Sequence, residues 1–117
     1  MLSAPARLRS LLKKDVCHLM PCCFDALSAK LVEGAKFPVT FASGFSVAAD
    51  HGLPDTGLMS FGEMEGAMRR IAGSLERIPC IGDGDTGYGN AVNAKRTVKS
   101  YAAAGLAGIM IEVRLSV

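Results

Sequence analysis

Two carboxylates one residue apart, Asp83 and Asp85, sit in the glycine-rich run Gly82-Asp-Gly-Asp-Thr-Gly-Tyr-Gly89. An apolar stretch, Ile78-Pro-Cys-Ile81, precedes the run, and Asn90 opens a helical pattern after it. This predicts a strand, a turn and a helix, with paired acids at the strand's C-terminal end. Glu112 ends a second apolar stretch, Ala107–Ile111. A charge at the end of a buried strand is costly unless it is paired. Asp83, Asp85 and Glu112 together form a hard oxygen donor set with no histidine or cysteine. Such a set suits Mg²⁺, with Mn²⁺ as the other candidate, rather than zinc. The plainer reading of Asp-x-Asp is a solvated turn in which Asp85 caps the next helix.

The same turn matches other patterns. Gly82-Asp-Gly84-Asp-Thr-Gly87 fits G-x-G-x-x-G between a strand and a helix, the dinucleotide fingerprint. Two aspartates inside it would repel a pyrophosphate unless a metal bridged them. An EF-hand loop is excluded, because Tyr88 and Ala94 stand where that loop needs Gly and Glu. Polar groups also fall at Ser43-Gly44, after another apolar stretch. Asp50, His51 and Asp55 share the glycine- and proline-containing segment Phe45 to Gly57, which reads as a loop long for a compact domain, and long loops are often functional. Asp55 by spacing alone is a turn residue, and His51 a solvated one. His18 reads as packed within a strand.

The net charge of +2 and the scattered basic residues give no electrostatic footprint for nucleic acid. No apolar run approaches the roughly 20 residues of a membrane span. The cysteines, Cys17, Cys22, Cys23 and Cys80, form no C-x-x-C pair and read as buried free thiols of a reducing compartment. Met1 to Lys14 is basic and lacks acids, which resembles an organelle transit peptide, so the reducing compartment reads as cytoplasm or chloroplast. Leu8, Leu11 and Leu12 fit one helical face there, so the segment reads as a helix of the domain rather than a transit peptide.

These residues must be carried by regular elements. Val16–Met20 reads as a first strand, and Asp25 caps a helix with Leu27 and Leu31 on one side, ending at Gly34. Phe37–Ser43 reads as a second strand. Ser60-Phe-Gly-Glu63 is a capping box, and Phe61, Met64, Met68, Ile71 and Leu75 follow at helical spacing. The third strand and acidic turn come next. Then a helix runs from Asn90 to Gly105 with Ala91, Ala94, Val98 and Tyr101 on one side, before a fourth strand, 107–111. Alternation of this kind predicts an α/β fold: an N-terminal helix followed by about four parallel strands. An open doubly wound sheet and part of a (β/α)₈ barrel both fit. A barrel takes about 250 residues, and this chain supplies roughly half.

Cys23-Phe-Asp-Ala-Leu-Ser-Ala-Lys30, Ser43-Gly-Phe45, Gly52-Leu-Pro-Asp-Thr-Gly57, the 82–90 turn and Gly105-Leu-Ala-Gly-Ile-Met-Ile-Glu112 together are highly specific. Over residues 5 to 112 the chain resembles the isocitrate lyase/phosphoenolpyruvate mutase superfamily, in its plant-type branch. The resemblance implies the N-terminal half of a (β/α)₈ barrel. It also implies a homo-oligomer, often a tetramer with swapped terminal helices. The implied chemistry is Mg²⁺-dependent cleavage or formation of a C–C or P–C bond beside the carboxylate of a 2-oxo acid, on a small dicarboxylate or phosphonate substrate. By position Asp83 and Asp85 match the metal-site aspartates. Glu112 matches the glutamate that reaches the metal, commonly through water, and Asp55 the loop aspartate of the same shell. Ser43, Gly44 and Phe45 match the segment that binds the oxo-acid carboxylate.

In the family the glutamate is followed by Asp-Gln and by a mobile loop carrying Lys-x-Cys-Gly-His, whose cysteine is the acid or base of the lyases. Here Val113-Arg-Leu-Ser-Val117 follows. Residues 1–112 therefore read as the barrel half and 113–117 as an unrelated tail, the mark of a truncated, inactive isoform or of translation through a splice donor. A non-enzymatic isoform that docks on the full-length protein, and a nucleotide-binding module, are the alternatives.

Overall fold

The computed structural model describes residues 2–13 and 15–113. Of the expected tail, 114–117 lie outside the described residues, and Val113 is exposed. The chain forms α1 (Ala4–Leu12), β1 (Cys22–Cys23), α2 (Ala26–Gly34), β2 (Thr40–Ala42), α3 (Gly44–Asp50), α4 (Phe61–Ser74), β3 (Cys80–Asp83), α5 (Ala91–Ala104) and β4 (Gly108–Met110). The strands form a four-stranded sheet in the order β1-β2-β3-β4. Every pairing is parallel, with Cys22 opposite Phe41, Thr40 opposite Cys80 and Ile81 opposite Gly108. Parallel strands in sequence order, joined by helices, make an arc of a (β/α)₈ barrel.

Side chains alternate across the sheet. Cys23, Ala42 and Cys80 face the helices and join Met64, Met68, Ile71, Tyr101 and Leu106 in the core. Gly82 lies on that side because nothing larger fits: a Cβ there would come 2.6 Å from Leu106 Cδ1. Met64, Met68 and Ile71 are fully buried. At about 1.5–3 kcal/mol for each such side chain, this face of α4 is the main anchor of the helical layer. The opposite face carries Ile81 and Gly108, and Leu8 of α1 lies against it, 3.3 Å from where a Gly108 Cβ would be.

Helix ends form where the caps predict them. Asp25 accepts from the Ser28 N–H at 2.6 Å, and Ser60 and Glu63 cap each other reciprocally. Asn90 accepts from the N–H groups of Val92 and Asn93, and Gly105 ends α5 in the left-handed region at φ 98°. Several expectations are corrected. Val16–Met20 is not a strand; the first strand is Cys22–Cys23, beyond Pro21. The apolar residues Val16 and Met20, with His18, instead line a groove of about 290 Å³ beside α1. His18 is therefore half-buried outside any strand, with Nε2 3.3 Å from the Leu11 carbonyl oxygen. The 45–57 segment is not all loop, since α3 occupies most of its first half. Leu27 and Leu31 are exposed, and α2 buries Ala29 and Glu33 instead. On α5 the buried residues are Thr97 and Tyr101, while Val98 is exposed. Cys17 and Cys22 are exposed; only Cys23 and Cys80 are buried thiols.

Candidate functional site

The site is built at the C-terminal ends of the strands. Asp83 is the last residue of β3 and is only 9% exposed. Its Oδ2 accepts from the Gly44 N–H at 2.9 Å and its Oδ1 from the Asp85 N–H at 3.1 Å. Burial raises the Asp83 carboxyl above the usual carboxylate range. The two N–H donors pull it back, and the charges of Asp85 and Glu112 push it up further. A buried carboxylate facing two others is a place where a positive charge is welcome.

Asp85 sits in the turn at φ 45°, a left-handed conformation that aspartate tolerates better than most residues. Its carbonyl accepts from the Glu112 N–H at 2.7 Å, and the Gly84 N–H donates to the Met110 carbonyl at 2.8 Å. The turn is thereby laced to the segment that leaves β4. Asp55, Thr56 and Gly57, from the connection between α3 and α4, complete the ring. Asp55, Asp83, Asp85 and Glu112 line one cavity of about 100 Å³ together with Thr56, Gly57 and Thr86.

Ser43 and Gly44 adjoin this ring at the start of α3. A Cβ on Gly44 would stand 2.9 Å from Asp83 Oδ2 and 3.3 Å from Asp85 Oδ1, so the backbone approaches both acids closely. Phe45 is 64% exposed and does not line the cavity. Ser43 makes no side-chain cap bond to α3. His51 is turned back on its own helix, with Nδ1 2.9 Å from the Val47 carbonyl oxygen.

Two tyrosines that sequence reasoning did not assign to the site hold it. Tyr101, buried on α5, donates its hydroxyl to the Asp83 carbonyl at 2.8 Å. Tyr88 donates to Asp85 Oδ2 at 2.6 Å. Burial raises both phenols, Tyr101 to about 12, so both stay protonated donors at neutral pH. The apolar stripe of α5 includes Tyr101 but does not show where its hydroxyl ends. Tyr88 has φ 60°, unusual for an aromatic residue, and its ring packs at 6.0 Å from Phe61. Arg96 lies over the other ring of that pair, 4.9 Å from the Phe61 centroid.

Among the described residues, no three Cys, His, Asp or Glu side chains converge closely enough to clasp a bare ion. The four carboxylates instead surround a small polar cavity. That arrangement fits Mg²⁺, which keeps several waters and takes only one or two carboxylates directly. The glycines of the dinucleotide-like pattern have packing reasons. Gly82 is crowded by Leu106, and a Gly84 Cβ would meet Ile109 Cδ1 at 2.8 Å and the Met110 carbonyl at 3.0 Å.

The family model described as phosphoenolpyruvate phosphomutase matches residues 8–114. The chain is 44% identical over 107 residues to carboxyvinyl-carboxyphosphonate phosphorylmutase, chloroplastic, of Arabidopsis thaliana, covering 91% of this chain and 32% of that protein. It is 37% identical over 112 residues to 2,3-dimethylmalate lyase of Eubacterium barkeri, covering 95% of this chain and 38% of that one. Among solved structures, phosphonopyruvate hydrolase in complex with oxalate and Mg²⁺ superposes with a TM-score of 0.89 at 35% identity, over 94% of this chain and 38% of that one. The chain thus spans about a third of the length of the curated relatives it matches. Strand order, the placement of the acids and a family match over nearly its whole length agree: the chain belongs to the phosphoenolpyruvate phosphomutase family, within the superfamily of C–C lyases and P–C mutases.

Proposed function

We propose that residues 1–117 supply the divalent-cation and oxo-acid-binding part of a lyase or mutase acting on the bond next to a 2-oxo acid carboxylate, with C–C cleavage ahead of phosphonate chemistry. The observation that carries this reading is the meeting of Asp55, Asp83, Asp85 and Glu112, from three separate segments of the chain, around one cavity. Asp83, Asp85 and Glu112 would hold Mg²⁺ or Mn²⁺ directly or through its waters, with Asp55 in the same shell. When bound, the ion would stabilise the enolate charge that appears as the bond breaks.

The remaining work belongs to the protein. The Gly44 N–H fixes Asp83, so the carboxylate has little freedom to turn away. Phe45 and Ser46 are the next residues of α3's first turn, whose N–H groups a helix leaves without internal partners. With the Ser43 hydroxyl they form the seat we assign to the substrate carboxylate. Turnover needs a closed barrel and a proton-transfer group over the cavity. A polypeptide of these 117 residues alone is therefore expected to bind but not to react. We assign the whole enzyme a homo-tetrameric state, and a compartment shared with the chloroplastic Arabidopsis relative or the cytosol.

Calorimetric titration tests the reading. Mg²⁺ with oxalate should bind and raise the melting temperature, and Asp83→Asn or Asp85→Asn should abolish both effects. Stabilisation by NAD without metal, or product formed from a 2-oxo acid by the 117-residue polypeptide, would overturn it.

A further inference from the structure

The hydrogen bonds around the two central acids are unequal in kind. Both oxygens of Asp83 are held by backbone N–H groups, from Gly44 and Asp85. Asp85 is held by a side chain: the Tyr88 hydroxyl donates to its Oδ2 at 2.6 Å. Asp85 Oδ1 faces the Gly44 backbone, 3.3 Å from where a Cβ would be, and among the described residues it has no donor. One oxygen of Asp85 is thus tied to the protein, and the other is left for whatever enters the cavity.

We propose that Tyr88 is a positioning residue that makes Asp85 a one-oxygen donor and thereby sets the site's preference for Mg²⁺ over Ca²⁺. The inference rests on the cation site assigned above. Mg²⁺ demands near-octahedral geometry with short, single-oxygen contacts and retained waters. Ca²⁺ is larger, takes six to eight oxygens and often uses both oxygens of one carboxylate. With Oδ2 tied up, Asp85 cannot offer the two-oxygen grip that Ca²⁺ exploits.

The structure holds Tyr88 in place for this task. It adopts φ 60° between Gly87 and Gly89, which both have positive φ. A left-handed aromatic residue is strained, and such strain persists only where the surroundings over-determine it. Those surroundings are on both sides of the turn. The Tyr88 ring packs on Phe61 from α4. The Thr97 hydroxyl of α5 lies 3.0 Å from the Gly87 carbonyl. A turn pinned to two helices delivers one hydroxyl to one carboxylate oxygen.

The test compares Mg²⁺ and Ca²⁺ dissociation constants, by calorimetry without substrate, for the protein, Tyr88→Phe and Tyr101→Phe. Tyr88→Phe removes one oxygen and keeps the ring packing. It should lower the Mg²⁺ over Ca²⁺ preference about tenfold or more, chiefly by strengthening Ca²⁺. Tyr101→Phe, which frees a backbone carbonyl rather than a carboxylate, should lower the melting temperature and leave the preference unchanged. Equal weakening of both ions by Tyr88→Phe, or an unchanged ratio, overturns the inference and leaves the cation site standing. A parent protein that binds neither ion overturns the site and the inference together. Should Tyr88→Phe fold poorly, Mn²⁺ electron paramagnetic resonance on the parent replaces it: competing Ca²⁺ must displace Mn²⁺ more weakly than Mg²⁺ does, and the reverse order overturns the inference.

Discussion

At the scale of single residues, the site depends on what is missing as much as on what is present. Gly44 has no side chain because a Cβ would sit against Asp83 and Asp85. Gly44→Ala is expected to displace both carboxylates while leaving the fold intact. Loss of such a supporting contact typically costs 10- to 100-fold in metal affinity. Titration calorimetry should show that loss with a melting temperature within a few degrees of the parent. Tyr101 makes the complementary case. Its hydroxyl satisfies a carbonyl at the end of β3, so Tyr101→Phe should cost about 1–2 kcal/mol in urea unfolding. The acids were legible in the sequence because Asp-x-Asp among glycines after an apolar run is a short-range pattern. The tyrosines were not, because a hydroxyl's partner eighteen residues away depends on how α5 lies on β3.

At the scale of elements, Glu33 shows how a helix fixes a strand. It is a buried carboxylate on α2 whose Oε1 accepts from the N–H groups of Glu76, Arg77 and Ile78, in the turn that feeds β3. Burial alone would raise its carboxyl. The three N–H donors and the Arg77 charge outweigh that and hold it below the usual range. A depressed folded-state value means stability that is present above the unfolded value, near 4.3, and is lost as pH falls through the folded one. Glu33→Ala is expected to cost about 1–3 kcal/mol at pH 7 by leaving the buried Ile78 N–H and two half-buried N–H groups without their acceptor. The difference between the parent and Glu33→Gln should shrink as the solution is acidified below about pH 4. A Gln variant whose deficit is constant with pH would show that the charge plays no part. The helices could be read from their caps, Asp25, Ser60, Asn90 and Gly105, because capping is local chemistry. The strands could not be placed as well. Cys22–Cys23 is too short to show a period, and the apolar run before it lines a groove beside α1 instead of pairing. On α2 the leucine spacing suggested the wrong face, since Ala29 and Glu33 are what the core receives.

At the scale of the molecule, β1 and β4 are the two margins of the sheet. Among the described residues each has an edge with no neighbouring strand, and exposed apolar residues lie on the adjoining helices: Leu27 and Leu31 on α2, Val92 and Val98 on α5. Exposed edges and apolar faces recruit partners. The 117-residue polypeptide, 12.3 kDa as a monomer, is therefore expected to self-associate, with a sedimentation mass that falls on dilution. A strictly monomeric species across a hundredfold concentration range would contradict this. The family was readable from clustered motifs. What would cover the margins was not, since that depends on contacts outside any one element.

The alternation of β1 places two thiols side by side on opposite faces, Cys22 open to solvent and Cys23 fully buried. Cys23 neighbours the Cys80 thiol, which the adjacent Cys23 and burial keep protonated. Adjacent in sequence, these two sulfurs answer different questions when a thiol reagent is added. Cys22 reports how crowded the face shared with Phe41 and Ile81 is, and its rate should slow when anything fills that side. Cys23 can react only when the sheet itself opens, so its rate reads the opening free energy of the whole strand layer. One dipeptide thus provides a clock for occupancy and a clock for unfolding in a single labelling experiment.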